Sequence, residues 1–205
     1  MKILFIACYS PLINNSASIE TLQYLNNLVN EGNDIHLLTV DFPKNSIYYD
    51  EYILSMLNPK VKIHKVSGGK IFEKIMPKKG KKIIAITDMY LNWARKASKV
   101  GLELMEKERF DVIFSMHEPP SSHICAMYIK KENKGVPWVT YWSDPWLKDS
   151  TRENMGYIRR KIEGGFEKDI INLADRHIFV TKSNRDDYLN SYNIPKEKTF
   201  ILTRG

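Results

Sequence analysis

The sequence predicts an α/β protein built on one doubly wound, all-parallel sheet. Three observations lead there. Short runs that are apolar throughout, such as Ile3-Leu4-Phe5-Ile6-Ala7, read as strands covered on both faces. Between such runs, apolar residues return every three or four positions, the period of a helix. The two patterns alternate along all 205 residues, with no internal repeat or low-complexity linker. Right-handed strand–helix–strand crossovers then give a single Rossmann-like domain over residues 1–205.

Residues 2–7 (KILFIA) form the first strand. A polar loop from Tyr9 to Ser16 leads to a helix on which Ile19, Leu22, Leu25, Leu28 and Val29 share a face, with Ser16 or Ser18 as N-cap. Gly32 follows the last periodic residue, where a helix end favours φ > 0. Residues 35–40 (IHLLTV) and 61–66 make the second and third strands. A stripe of Ile86, Met89, Tyr90, Trp93, Ala97, Val100 and Leu104 marks a helix of about five turns. Strand 111–115, helix 121–132, strand 137–141, helix 158–173, strand 177–181, a short helix from Ser183 and a last strand at 199–202 complete the order.

Lys and Arg number 31 against 24 Asp and Glu, a formal charge of +7, with 43% hydrophobic and 27% charged residues. This balance excludes intrinsic disorder, a collagen-like repeat and a disulfide scaffold. Cys8 and Cys125, far apart in apolar surroundings, read as buried thiols of a reducing compartment. No apolar run approaches the ~20 residues of a membrane-spanning helix, and the run after Lys2 is too short for a secretion signal. The protein therefore reads as cytoplasmic. No glycine precedes Gly32, and no GxxxxGK[ST] occurs. Both facts argue against NAD, FAD or P-loop nucleotide binding, and no cofactor is expected.

Ligands of such sheets bind beyond the carboxyl ends of the strands, which directs attention to residues 8–18, 41–46, 116–122 and 142–152. Asn14, Asn15 and Ser16 offer amides and hydroxyls to a sugar or phosphate at a helix start; equally they suit capping and turn duty. His117 and Glu118 stand at a strand end on a turn fixed by Pro119 and Pro120. A histidine there can orient or deprotonate a sugar hydroxyl, or simply bond a loop carbonyl. His117 and His123 without a third placed ligand do not make a metal site. Trp142 and Trp146 flank Asp144: the indoles could stack on sugar C–H faces while the carboxylate accepts hydroxyl protons, or they could fill the edge of the core. The candidate catalytic groups are His117 and Asp144. Asn14, Asn15, Ser16, Glu118, Trp142 and Trp146 are the candidate substrate contacts. All are expected to share one cleft.

Several segments resemble the N-terminal half of GT-B glycosyltransferases, specifically the retaining group called family 4. MKILFIACYSP followed by a helix and NEGNDIHLLTVD looks like that family's opening strand, helix and second strand. FDVIFSMHEPPSS resembles its strand-four segment, and VPWVTYWSDPW a segment of members that build bacterial surface polysaccharides. Glu163 to Asp175 with RHIFVTKSNRDDYLNSY resembles the helix and strand before the hinge, and TFILTRG the last strand. The family's glycine pair in the first loop is here Asn14-Asn15-Ser16, and the arginine often preceding the aspartate is Ser143. The resemblance implies transfer from a nucleotide-sugar donor with retention and without a required metal. This half would hold a glycan or lipid-linked acceptor. The donor-binding half is expected beyond Gly205, leaving the fragment inactive alone.

Residues 70–82 hold Lys70, Lys74, Lys78, Lys79, Lys81 and Lys82 interleaved with Ile71, Phe72, Ile75 and Met76. Such a segment suits an anionic membrane surface on the inner face of the cell membrane, or a solvated loop. With no recognised motif and the charge gathered in one segment, nucleic acid is not the expected partner. The competing reading of the whole chain is a free-standing Rossmann-like module that binds an anionic ligand or membrane without catalysis.

Overall fold

A computed structural model describes residues 1–9, 11–69, 88, 90–152 and 155–203. Lys70 to Lys82, with Ile86 and Met89 of the predicted helical stripe, lie outside the described residues. Among the described residues, seven strands form one parallel sheet in the order β3-β2-β1-β4-β5-β6-β7. The strands are β1 (Lys2–Ile6), β2 (Asp34–Asp41), β3 (Lys62–Ser67), β4 (Val112–Met116), β5 (Trp138–Trp142), β6 (Arg176–Phe179) and β7 (Thr199–Ile201). The helices are α1 (Ser16–Asn30), α2 (Glu51–Ser55), α3 (Leu91–Lys107), α4 (Ser121–Glu132), α5 (Tyr157–Leu173) and α6 (Lys182–Ser191). This is the doubly wound Rossmann-like architecture that the sequence predicts.

β1 sits at the centre because both its faces are apolar. Leu4, Ile6 and Cys8 enter one core with Trp93 of α3, Ile124 of α4, Ile170 of α5 and Tyr188 of α6. Ile3, Phe5 and Ala7 enter the other with Leu22, Leu25 and Val29 of α1 and Ile53 of α2. At about 1.5–3 kcal/mol for each large apolar side chain buried, this two-sided strand is a principal source of stability. Its pairing with β2 on one side and β4 on the other puts the change of winding direction between β1 and β4.

Helix ends follow local chemistry. Asn15 caps α1 by accepting from Ser18 N at 2.8 Å, and Gly32 ends the helix with φ +82°. α3 begins at Leu91; before it, Asp88 is drawn to α4, where it accepts from Ser121 N at 2.9 Å and Ser121 Oγ at 2.5 Å. The sequence does not anticipate α2, whose five residues are too short to show a period. Cys8 and Cys125 are both buried free thiols, and burial pushes both upward in pKa.

Gly101 on α3 marks the closest approach between layers. A Cβ there would lie 2.3 Å from Ile129 Cδ1 and 3.3 Å from Leu38 Cδ2. Gly101→Leu should therefore lower stability by about 2 kcal/mol. Gly165→Ala on α5, where a Cβ meets nothing within 4 Å, should raise it by up to about 1 kcal/mol. Urea unfolding of both variants checks the pair.

Candidate functional site

The loops after β1, β4 and β5 all leave the same edge of the sheet, as parallel strands require. Cys8 N donates to Ser122 Oγ at 2.9 Å, which ties the end of β1 to the start of α4. His117 N donates to Tyr141 O at 2.9 Å, and Ser143 Oγ donates to His117 O at 2.8 Å. The turn after β4 is thus fastened to β5. Glu118 is open to solvent and Asp144 half-buried. Partial desolvation and the neighbouring Asp144 raise the pKa of Glu118, which Arg152 opposes. Glu118 thus feels the charges of Asp144, Asp149 and Arg152, all on the loop after β5.

His117 does not stand open beside them. Its ring turns inward and stacks on His123, with centroids 5.8 Å apart, and tilts against Trp142. The residue is only 3% exposed, and its Nε2 is sealed from solvent without a hydrogen-bond partner. Burial, then the charge of Arg152, push its pKa down to about 3, so the ring is neutral. The expectation of an accessible base at this position is corrected: the ring packs against α4 and β5 instead of reaching into the cleft.

Trp142 and Trp146 also differ from the expectation of a stacking surface, for both are fully buried. Trp142 lies against His123 and Tyr188, with Nε1 donating to Thr140 Oγ1 at 2.9 Å. Trp146 Nε1 donates to Glu163 Oε2 at 2.7 Å. They fill the core edge and offer no face to a sugar. Of the first-loop residues, Asn14 Nδ2 donates to Asp50 Oδ2 at 3.0 Å, and Asn15 is the α1 cap. Ser16 lines an open groove of about 860 Å³ with Glu20, Tyr24, Leu202 and Thr203. The three share the predicted edge, but Asn14 and Asn15 are turned toward α2 and α1.

Sequence reasoning missed the groups that shape the β5–α5 loop. Glu163, fully buried on α5, accepts from Arg152 Nη1 and from Arg159 Nε, each at 2.6 Å, besides the indole. One turn later, Glu167 is 3% exposed and accepts from Tyr188 OH at 2.7 Å, from Leu147 N at 3.3 Å and from Tyr192 OH. Burial raises the pKa of Glu167 against those bonds. Asp88, raised by burial against its bonds to Ser121 and Tyr90 N, braces the start of α4 in the same way. The available signal was weak: acids at helical positions that the apolar stripe would otherwise fill. Among the described residues no three His, Cys, Asp or Glu side chains are placed to hold a metal.

A parallel sheet in this order, with its polar loops gathered at the β1–β4 edge, is the Rossmann-like half of the GT-B architecture. Glycosyltransferase Family 4 matches residues 21–205, and the chain belongs to that family. Among solved structures it is similar to UDP-GlcNAc 2-epimerase from Methanocaldococcus jannaschii, with TM-score 0.59 and 15% identity over 98% of this chain and 45% of that one. It is similar also to UDP-GlcNAc 2-epimerase from Neisseria meningitidis bound to UDP-GlcNAc, with TM-score 0.58 and 11% identity over 98% and 45%. A third is S. aureus MnaA in a co-structure with UDP, with TM-score 0.58 and 13% identity over 98% and 43%. At these identities the likeness is one of fold, and the chain spans less than half the length of each. No curated protein matches the chain.

Two outcomes follow from the buried groups. The rings of His117, His123 and His177 are held neutral by burial, His177 at about 4. The unfolded chain takes up protons near the ordinary histidine value while the folded one does not. Stability should rise with pH between about 4 and 6.5, each ring accounting for about 2 kcal/mol between pH 5 and 7. His177→Gln should flatten that dependence in urea titrations. Glu163→Ala leaves the buried indole N–H unpaired and should cost about 3 kcal/mol, whereas Glu163→Gln keeps an acceptor and should cost less.

Proposed function

We propose that residues 1–205 form the N-terminal, acceptor-side half of a retaining glycosyltransferase. It transfers a sugar from a nucleotide-sugar donor to a lipid-linked or surface-polysaccharide acceptor. The observation that carries this reading is the placement of Glu118 just after β4 and Asp144 just after the neighbouring β5, at the carboxyl edge of a sheet whose sequence belongs to Glycosyltransferase Family 4.

Sugar hydroxyls donate well to carboxylates, and a hydrogen bond to a charged group is worth about 1.5–3 kcal/mol. Glu118 and Asp144 are the polar groups that an acceptor entering this edge would meet. His117 acts from beneath: its backbone holds the turn to Tyr141 and Ser143, and its neutral ring packs on His123 and Trp142. It is a positioning residue in this proposal. Ser16, with Asn14 and Asn15 behind it, borders the second opening beside α1.

The similarity of fold extends over less than half of each compared structure, two of which are described with UDP-GlcNAc or UDP. Donor contacts are accordingly assigned mainly to a second domain. Lys70 to Lys82 are proposed to meet the anionic inner face of the cell membrane. No described helix is long and apolar enough to cross a membrane, so a peripheral contact would bring a lipid-linked acceptor to the edge.

Residues 1–205 alone are expected to transfer no sugar from UDP- or GDP-sugars in a radiolabel assay; turnover by the fragment would contradict the division of labour. In the complete enzyme, Asp144→Asn should raise the acceptor KM about tenfold or more with little change in kcat. A fall in kcat with an unchanged acceptor KM would remove Asp144 from acceptor recognition.

A further inference from the structure

The first turn of α5 presents a combination that the fold itself does not use. Tyr157 and Ile158 are 79% and 73% exposed, so no part of the described chain covers them. The next three residues are Arg159, Arg160 and Lys161. A helix start favours acidic side chains, yet this turn contains none. At 100° per residue, Arg160, Tyr157, Lys161 and Ile158 span an arc of about 160°, with Arg160 at its margin next to Glu167 and the other three on the side away from Glu163, Glu167 and Ile170. All four are exposed, whereas Arg159 turns inward to Glu163 at 2.6 Å.

The support under this arc is firm. Glu163 binds Arg159 of the turn and Arg152 of the preceding loop through one buried carboxylate. Arg160 Nη2 donates to Arg152 O at 3.2 Å. The apolar tips therefore ride on a fixed platform, and their exposure is not that of a loose chain end. α5 starts where the β5 loop leaves the carboxyl edge of the sheet, the edge that also carries Glu118 and Asp144.

We propose that the first turn of α5 is a docking surface for an anionic lipid bilayer, with Tyr157 and Ile158 entering the headgroup boundary and Arg160 and Lys161 facing lipid phosphates. Charge complementarity commits the surface to this partner. An aromatic and an aliphatic tip flanked by cations, with no acid in the same turn, is the composition that interfacial helices present to anionic membranes. Each cation near such a surface multiplies binding by about fivefold. The docking stands on the exposed turn and is independent of sugar transfer. Where both hold, the acceptor edge faces the lipid, as a lipid-linked substrate requires.

Sedimentation of residues 1–205 with phosphatidylcholine vesicles, with and without phosphatidylglycerol, tests this. The wild-type chain should bind the anionic vesicles and be released by salt. Tyr157→Ser with Ile158→Ser, and separately Arg160→Gln with Lys161→Gln, should each weaken partition by more than about tenfold. The unfolding midpoint of the Tyr157/Ile158 variant should stay unchanged, because both side chains are exposed, and Lys161→Gln alone gives a cation control that leaves the Arg160–Arg152 bond in place. Replacing Lys78, Lys79, Lys81 and Lys82 by Gln separates the other basic segment. Wild-type-like binding of both α5 variants would overturn the proposal. So would failure of the wild-type chain to bind anionic vesicles, or equal binding to neutral ones.

Discussion

Two buried carboxylates on one helix determine the shape of the candidate site. Glu163 and Glu167 lie one turn apart on α5 and face the sheet where apolar residues would normally stand. A buried carboxylate persists only when charge or hydrogen bonds replace its lost water. Glu163 has two guanidiniums and an indole N–H; Glu167 has two phenols and a backbone amide. Each of those donors belongs to the β5–α5 connection, to α5 itself, or to α6 and the Tyr192 that caps it. The loop that carries Asp144 and Arg152 consequently has little freedom. The place of Asp144 at the carboxyl edge depends on that restraint.

The same restraint explains why the edge is polar while the layer beneath it is not open. His117, His123, Trp142 and Tyr188 make a packed aromatic floor on the α4–α5 side of the sheet. Its two neutral imidazoles, His117 and His123, have Nε2 atoms without partners among the described residues. The floor keeps the β4 and β5 turns apart from the core and leaves Glu118 and Asp144 as the groups that meet solvent.

Most of the fold was legible in the sequence because its signals are local. The residues from Ile3 to Ala7 are apolar on both faces, and the strand they form has two cores. Helix 121–132 appears with the predicted ends, and Gly32 adopts the positive φ its position calls for. The candidate site was less legible, since its outcome rests on distant partners. A tryptophan at a strand end looks the same whether it meets a sugar or a carboxylate. Trp146 is internal because of Glu163, and Trp142 because of His123 and Tyr188. His117 turns inward for the same kind of reason. The tie of Asp88 to Ser121, 33 residues away, is another distant pairing that no local pattern shows.

The account divides recognition between an acceptor edge on this domain and a nucleotide site outside it. Isothermal titration calorimetry of residues 1–205 with UDP and GDP addresses that division most directly. The loop after β1 has no glycine to let the backbone approach a pyrophosphate, and the groups gathered at the edge are carboxylates. Both nucleotides should bind weakly, with Kd above about 1 mM, equivalent to about −4 kcal/mol. Micromolar binding of either nucleotide, abolished by substitutions in the Asn14–Ser16 loop, would place donor recognition on this domain and contradict the account.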